Sequence, residues 1–128
     1  MAFLLDTNVL LWAAIGKSDL GRRAANIVMR EPNLYYSAIS VAELTMKQQA
    51  GKLRMAPSFV DDLANQGFKR LGFNDQHALA ITRFGSLVGH DPFDRLIVAQ
   101  AAAENYQLVT ADRMLLSLGF DWILDARV

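Results

Sequence analysis

Residues 1–14 read MAFLLDTNVLLWAA, and the change of pattern inside that stretch decides the fold. Residues 2–5, AFLL, are a short unbroken apolar run, as a strand covered on both faces requires. The run ends at Asp6, and from 8 to 14 the apolar residues suit a short helix. A buried strand feeding straight into a helix opens a βα unit, and the same alternation continues outward along the chain. Leu20, Ala24, Ile27 and Val28 share one helical face and predict a helix over 19–30. Pro32 and Asn33 break it before a strand at 34–37, LYYS. A helix is expected from Ser40 towards Gly51, with Val41, Leu44 and Thr45 on one side. Pro57 suits the first turn of a helix over 57–66, followed by a weak strand at 68–72 and a helix over 75–84. Pro92 opens a helix rich in Ala, Leu and Ile that ends near Glu104. Strand 107–110, helix 113–118 and strand 121–124 complete the pattern. The fold class is α/β: a parallel sheet with helices on both faces, binding ligands at the carboxyl ends of its strands.

Composition narrows the function. With 128 residues, no repeat and no linker, 1–128 reads as one domain with a sizeable core. Thirteen Lys and Arg balance thirteen Asp and Glu, so nucleic acid would have to be gripped by a local patch, without a general basic field. The absence of cysteine excludes disulfides, thiolate metal sites and thiol nucleophiles. Asp6 and Asn8 interrupt the apolar opening stretch, which reads as neither a signal peptide nor a membrane span. The expected location is the cytoplasm.

The chemistry lies in the carboxylates. Singly, each has a structural explanation: Asp6, Asp91 and Asp112 precede predicted helices as N-caps, and Ser40-x-x-Glu43 has the form of a capping box. Together they point elsewhere. Asp6 follows the first strand and Asp112 the fourth, on one edge of the sheet. Glu43 and Asp94 fall in the first turns of helices entering from that edge. Carboxylates converging there repel one another, by about 1 kcal/mol per close pair even in water. A divalent cation removes that penalty, and an all-oxygen ligand set suits Mg²⁺ or Mn²⁺ better than zinc. His77 reads as a surface or partly buried packing residue, and His90 as a solvated loop residue, with contact to RNA or metal as its alternative. Trp12, Trp122, Tyr35 and Tyr36 read as core.

Four segments then carry a resemblance: LLDTNVLLW at 4–12, SAISVAEL at 37–44, DPFDRLIVAQA at 91–101 and LVTAD at 108–112. In order and spacing the chain resembles the PIN-domain family, and more narrowly its VapC toxins of bacterial toxin–antitoxin pairs. The resemblance implies an α/β/α sandwich on a parallel sheet of four or five strands and a Mg²⁺- or Mn²⁺-dependent endoribonuclease. It assigns catalysis and metal binding to Asp6, Glu43, Asp94 and Asp112. Asn8 and Thr110 become supporting polar groups, and Asp91 a helix cap that assists the electrostatics. On that reading Lys47, Lys52, Arg54, Arg95 and Arg113 are the candidates for steering RNA phosphates, with Arg95 alternatively orienting a carboxylate. The partners implied are an RNA substrate, a cognate antitoxin and a second copy in a homodimer.

Rival classes fit less well. A phosphoacceptor receiver domain needs an acidic pair after the first strand and a lysine after the last core strand, but no lysine follows Lys69. A haloacid-dehalogenase-type phosphatase needs Asp-x-Asp where Asn8 stands. A non-catalytic PIN-fold module for RNA binding or assembly is the remaining alternative, and such a module would be free to lose acids that this chain retains.

Overall fold

The computed structural model describes residues 1–16 and 19–128. Five strands form one parallel sheet: β1 (Phe3–Leu5), β2 (Leu34–Ser37), β3 (Lys69–Leu71), β4 (Gln107–Thr110) and β5 (Ile123–Asp125). Their order is β3-β2-β1-β4-β5, with Leu4 level with Tyr35 on one side and Leu108 on the other. From β1 the chain winds outward to β2 and β3, then returns to the opposite side of β1 as β4. The gap between the carboxyl ends of β1 and β4 is therefore the topological switch point, where loops diverge and leave a crevice.

Among the described residues seven α-helices pack around the sheet: α1 (Thr7–Ile15), α2 (Arg22–Arg30), α3 (Ala38–Gln49), α4 (Phe59–Asn65), α5 (Asp75–Ala80), α6 (Pro92–Glu104) and α7 (Arg113–Leu116). Alternation along β1 divides the core. Phe3 and Leu5 join Val9, Leu10, Ile27 and Leu63 on one face, and Leu4 joins Ile97, Val98, Leu108 and Leu115 on the other. All three β1 side chains are buried, which accounts for the unbroken apolar run at the start of the sequence. The expected α/β sandwich with a parallel sheet is what the chain adopts.

Several boundaries differ from expectation, each for a local reason. The second helix begins at Arg22, after a turn at Asp19 and Leu20. Helix α3 starts at Ala38 because Ser37 is its N-cap, accepting the Ile39 N–H at 2.9 Å. The Ser40–Glu43 capping box does not form: Ser40 is buried inside the helix, and Glu43 lies in its second turn. Pro57 stands in a turn before α4. The helix expected over 75–84 ends at Ala80 and continues as a 3-10 turn over Ile81–Arg83.

Residues 126–128 close the fold against α2. Gly21 donates its N–H to the Ala126 carbonyl at 2.8 Å, and Arg23 donates to the Val128 carbonyl at 3.0 Å. Helix α2 lacks a side-chain cap, and this carbonyl replaces one. A Cβ on Gly21 would lie 2.3 Å from the Val128 carbonyl carbon, so the approach requires glycine.

Candidate active site

Asp6 leaves β1 and caps α1, its Oδ1 accepting the Thr7 N–H at 2.8 Å. Its other oxygen accepts from Thr110 Oγ1 at 2.6 Å. The same hydroxyl accepts the Asp112 N–H at 3.0 Å, so Thr110 ties the exits of β1 and β4 together. Asp112 caps α7 through Leu115 N–H, and Asp91 caps α6 through the N–H groups of Phe93 and Asp94. Thr7 Oγ1 and Ser40 Oγ lie 2.9 Å apart and hold the start of α1 against α3. Three of the acids are therefore helix caps, and capping aims their remaining oxygens at one crevice.

That crevice is a cleft of about 410 Å³ lined by Asp6, Asn8, Glu43, Asp91, Asp94 and Asp112, with Lys47, Arg113 and Arg127 on its walls. Burial pushes Asp6 up to about 6, against the lowering hydrogen bonds from Thr110 and Thr7, and the charges of Glu43 and Asp112 push the same way. Asp94 is pushed up to about 8, first by burial, then by the charges of Asp6 and Asp112, a hydrogen bond shared with Asp112, and the charge of Asp91. Glu43 pairs through one oxygen with Lys47 at 3.2 Å, while its other oxygen is buried without a partner. Such a set, with raised carboxyl groups and an orphaned buried oxygen, fits a divalent cation chemically.

The remaining candidates divide by position. Asn8 and Arg113 are exposed on the cleft. Lys52 lines an adjoining hollow with Glu43, Lys47 and Asp91, whereas Arg54 lies apart, beside Leu11, Ile15 and Phe59. Arg95 does not line the cleft; its Nε is buried without a partner, and among the described residues it makes no ion pair with a carboxylate. The aromatic residues serve packing: Tyr36 is buried, Tyr35 stacks on Tyr106, and Trp122 packs with Phe84 and Phe120.

Three features depart from the main expectation. His77 is fully buried, with Nε2 2.7 Å from Glu104 and Nδ1 accepting the Asn74 N–H, because it completes a capping box at the start of α5. His90 is drawn in from its loop, its Nε2 lying 3.4 Å from Asp94 and 3.7 Å from Asp112. Its position four residues before Asp94, across the turn entering α6, was the available signal. Arg127 donates to the Ala111 carbonyl at 2.9 Å and stands over the Trp12 ring. Nothing local to Arg127 marks it, since only the closure of residues 126–128 brings it to the cleft.

Residues 3–121 match the PIN domain. The chain belongs to the PIN domain family. Ribonuclease VapC22 of Mycobacterium tuberculosis is 30% identical to it over 117 residues, covering 89% of each chain. Among solved structures, this PIN domain is similar to VapBC2 from Rickettsia felis, bound to a promoter DNA fragment (TM-score 0.67, 19% identity, 97% of this chain and 96% of that one). A toxin–antitoxin complex from Klebsiella pneumoniae matches over 98% of both chains, with a TM-score of 0.66 and 19% identity. The structural likenesses carry the fold, and the curated relative carries the family.

Proposed function

We propose that this PIN domain is a divalent-metal-dependent endoribonuclease and the toxin of a toxin–antitoxin pair. The observation that carries the reading is the convergence of Asp6, Glu43, Asp94 and Asp112 on one cleft at the switch point, where two of them hold protons unusually tightly. Such a cluster is electrostatically unfavourable alone and well suited to a cation. A relative named as a ribonuclease at 30% identity supports RNA as the substrate.

Asp6, Asp94 and Asp112 would hold the ion, with Glu43 reaching it directly or through water. When bound, Mg²⁺ or Mn²⁺ supplies charge neutralisation, polarisation of the scissile phosphate and a lowered pKa for water. The chain's own residues do the rest. Thr110 and Thr7 fix the two oxygens of Asp6, leaving it no rotational freedom. A carboxylate of the cluster accepts the proton of the attacking water. Lys47 and Arg113 on the cleft wall receive the phosphate backbone, while Asn8 offers an amide beside Asp6. In-line attack leaves a 5′-phosphate and a 3′-hydroxyl.

The partner reading has separate support. Met29, Met46, Leu79 and Val88 are strongly exposed apolar side chains. Similar folds occur in toxin–antitoxin complexes, in keeping with a cognate antitoxin, and we propose a homodimer alongside it. No helix among the described residues is long and apolar enough to cross a membrane. Incubating purified protein with RNA, with and without Mg²⁺ or Mn²⁺, tests the enzymatic reading. Cleavage should require the ion and vanish in Asp6→Asn and Asp94→Asn. Undiminished cleavage in those variants would remove the acidic cleft from the mechanism.

A further inference from the structure

A histidine stands beside two of the clustered acids. His90 stands in the loop before α6, and its Nε2 is buried with no hydrogen-bond partner. Buried polar atoms in native folds are rarely left in this state without a reason. The atom is not isolated, however: it lies within ion-pair range of Asp94 Oδ2 at 3.4 Å and Asp112 Oδ2 at 3.7 Å. Ligand atoms of all three residues lie within 4.8 Å of one another.

These separations are informative. A nitrogen and an oxygen joined by a hydrogen bond sit near 2.9 Å, and both contacts are well beyond that. Two donor atoms each about 2.1–2.2 Å from one ion lie about 3.0–3.6 Å apart, between right-angle and tetrahedral arrangements. The His90 nitrogen therefore stands from Asp94 at the spacing of neighbouring ligands around a shared cation, and from Asp112 just beyond it. Its lack of a partner has the same explanation, because a metal-ligating imidazole nitrogen must present a bare lone pair.

We propose that His90 Nε2 is a direct ligand of the divalent ion held by Asp94 and Asp112, so that the site is mixed nitrogen and oxygen. The inference rests on the metal-dependent reading above and sharpens it. An imidazole ligand shifts preference away from Mg²⁺ towards first-row transition ions, of which Mn²⁺ gains least but still more than Mg²⁺. His90 thereby favours Mn²⁺ over Mg²⁺ in this site. His77 cannot take this part, since both of its ring nitrogens are engaged by Asn74 and Glu104.

The test uses the full chain, freed of metal and then titrated with Mn²⁺ alone and with Mg²⁺ alone. Bound Mn²⁺ should show imidazole ¹⁴N coupling in pulsed electron paramagnetic resonance. In His90→Gln, which retains an oxygen donor of similar reach, that coupling should disappear. Calorimetry should show Mn²⁺ affinity falling about tenfold in this variant with Mg²⁺ affinity nearly unchanged. Mn²⁺ binding that is abolished by Asp94→Asn but shows no imidazole coupling in the unmodified protein would overturn the role of His90 and leave the metal site standing. No carboxylate-dependent binding of either ion would overturn both readings.

Discussion

The two histidines of this chain show opposite uses of a buried polar group. His77 is sealed in the fold with each ring nitrogen engaged, one by the Asn74 N–H and the other by Glu104. Nearby, Ser37 donates to Gln100, and Gln100 donates in turn to the Gly72 carbonyl at 3.2 Å, so that centre is likewise satisfied. His90 faces carboxylates at distances too long for hydrogen bonds, and a buried Glu43 oxygen beside the same cleft also lacks a partner. Polar atoms that complete one another join elements of the fold. Buried polar atoms left without a partner need another explanation, and the buried Arg95 Nε shows that they are not confined to the cleft.

The strongest way to break this comparison is to neutralise one member of each centre. Asp94→Asn should lower metal-dependent RNA cleavage by at least about 10²–10³-fold, the range for loss of one electrostatic group at a reacting centre. The same change should leave the fold intact or raise its melting temperature, because it removes a charge that its neighbours oppose. Gln100→Leu should do the reverse. It strands the Ser37 hydroxyl and the Gly72 carbonyl, lowering stability by about 1–3 kcal/mol in denaturant titration. Cleavage per folded molecule should stay within about twofold of the unmodified protein. Equal losses of activity in both variants would end the division into structural and functional centres.

Acidity sharpens the contrast next. Asp6 and Asp94 are raised to about 6 and about 8, whereas unfolded carboxyl groups titrate near 4. The folded state thus binds more protons than the unfolded state over that window. The stability these two groups contribute is fully present below about pH 4, declines as the pH rises, and is lost once it passes the folded values. Metal-free protein should therefore melt at a lower temperature at pH 8 than at pH 5.5. Saturating Mn²⁺ should remove most of the difference, as should the double variant Asp6→Asn, Asp94→Asn. A metal-free melting temperature that rises across the same interval would contradict the crowding of the acids.

The parts of this architecture that were legible in the sequence share a cause. Strand β1 is covered on both faces, so residues 2–5 had to be apolar without a break. Asp6, Asp91 and Asp112 announce helix starts because the residue types that cap helices are few. What escaped depends on contacts remote in sequence. Ser40 looked like a cap because its local motif is right, but Ser37 reaches the α3 backbone first, and Ser40 meets Thr7. His77 looked like a surface or partly buried packing residue, short of full burial, because its partner Glu104 lies at the far end of α6. Arg127 reaches the cleft only through the close approach of residues 126–128 to Gly21.

The smallest effect concerns Asp91, which stands on the border between the two kinds of group. It is exposed, lines the cleft, and spends one oxygen on the Phe93 and Asp94 N–H groups. If capping is its main contribution, Asp91→Ser preserves the acceptor and should leave both stability and cleavage nearly unchanged. Asp91→Ala removes the cap and should lower stability by about 1 kcal/mol. Because the cap sets the first turn of α6, and Asp94 lies in that turn, the alanine variant should also lose cleavage activity by a few fold. The pair separates the two roles: a serine variant as impaired as alanine would mean that the charge of Asp91 matters to the ion, and that the border between structure and chemistry runs one residue further out than its hydrogen bonds indicate.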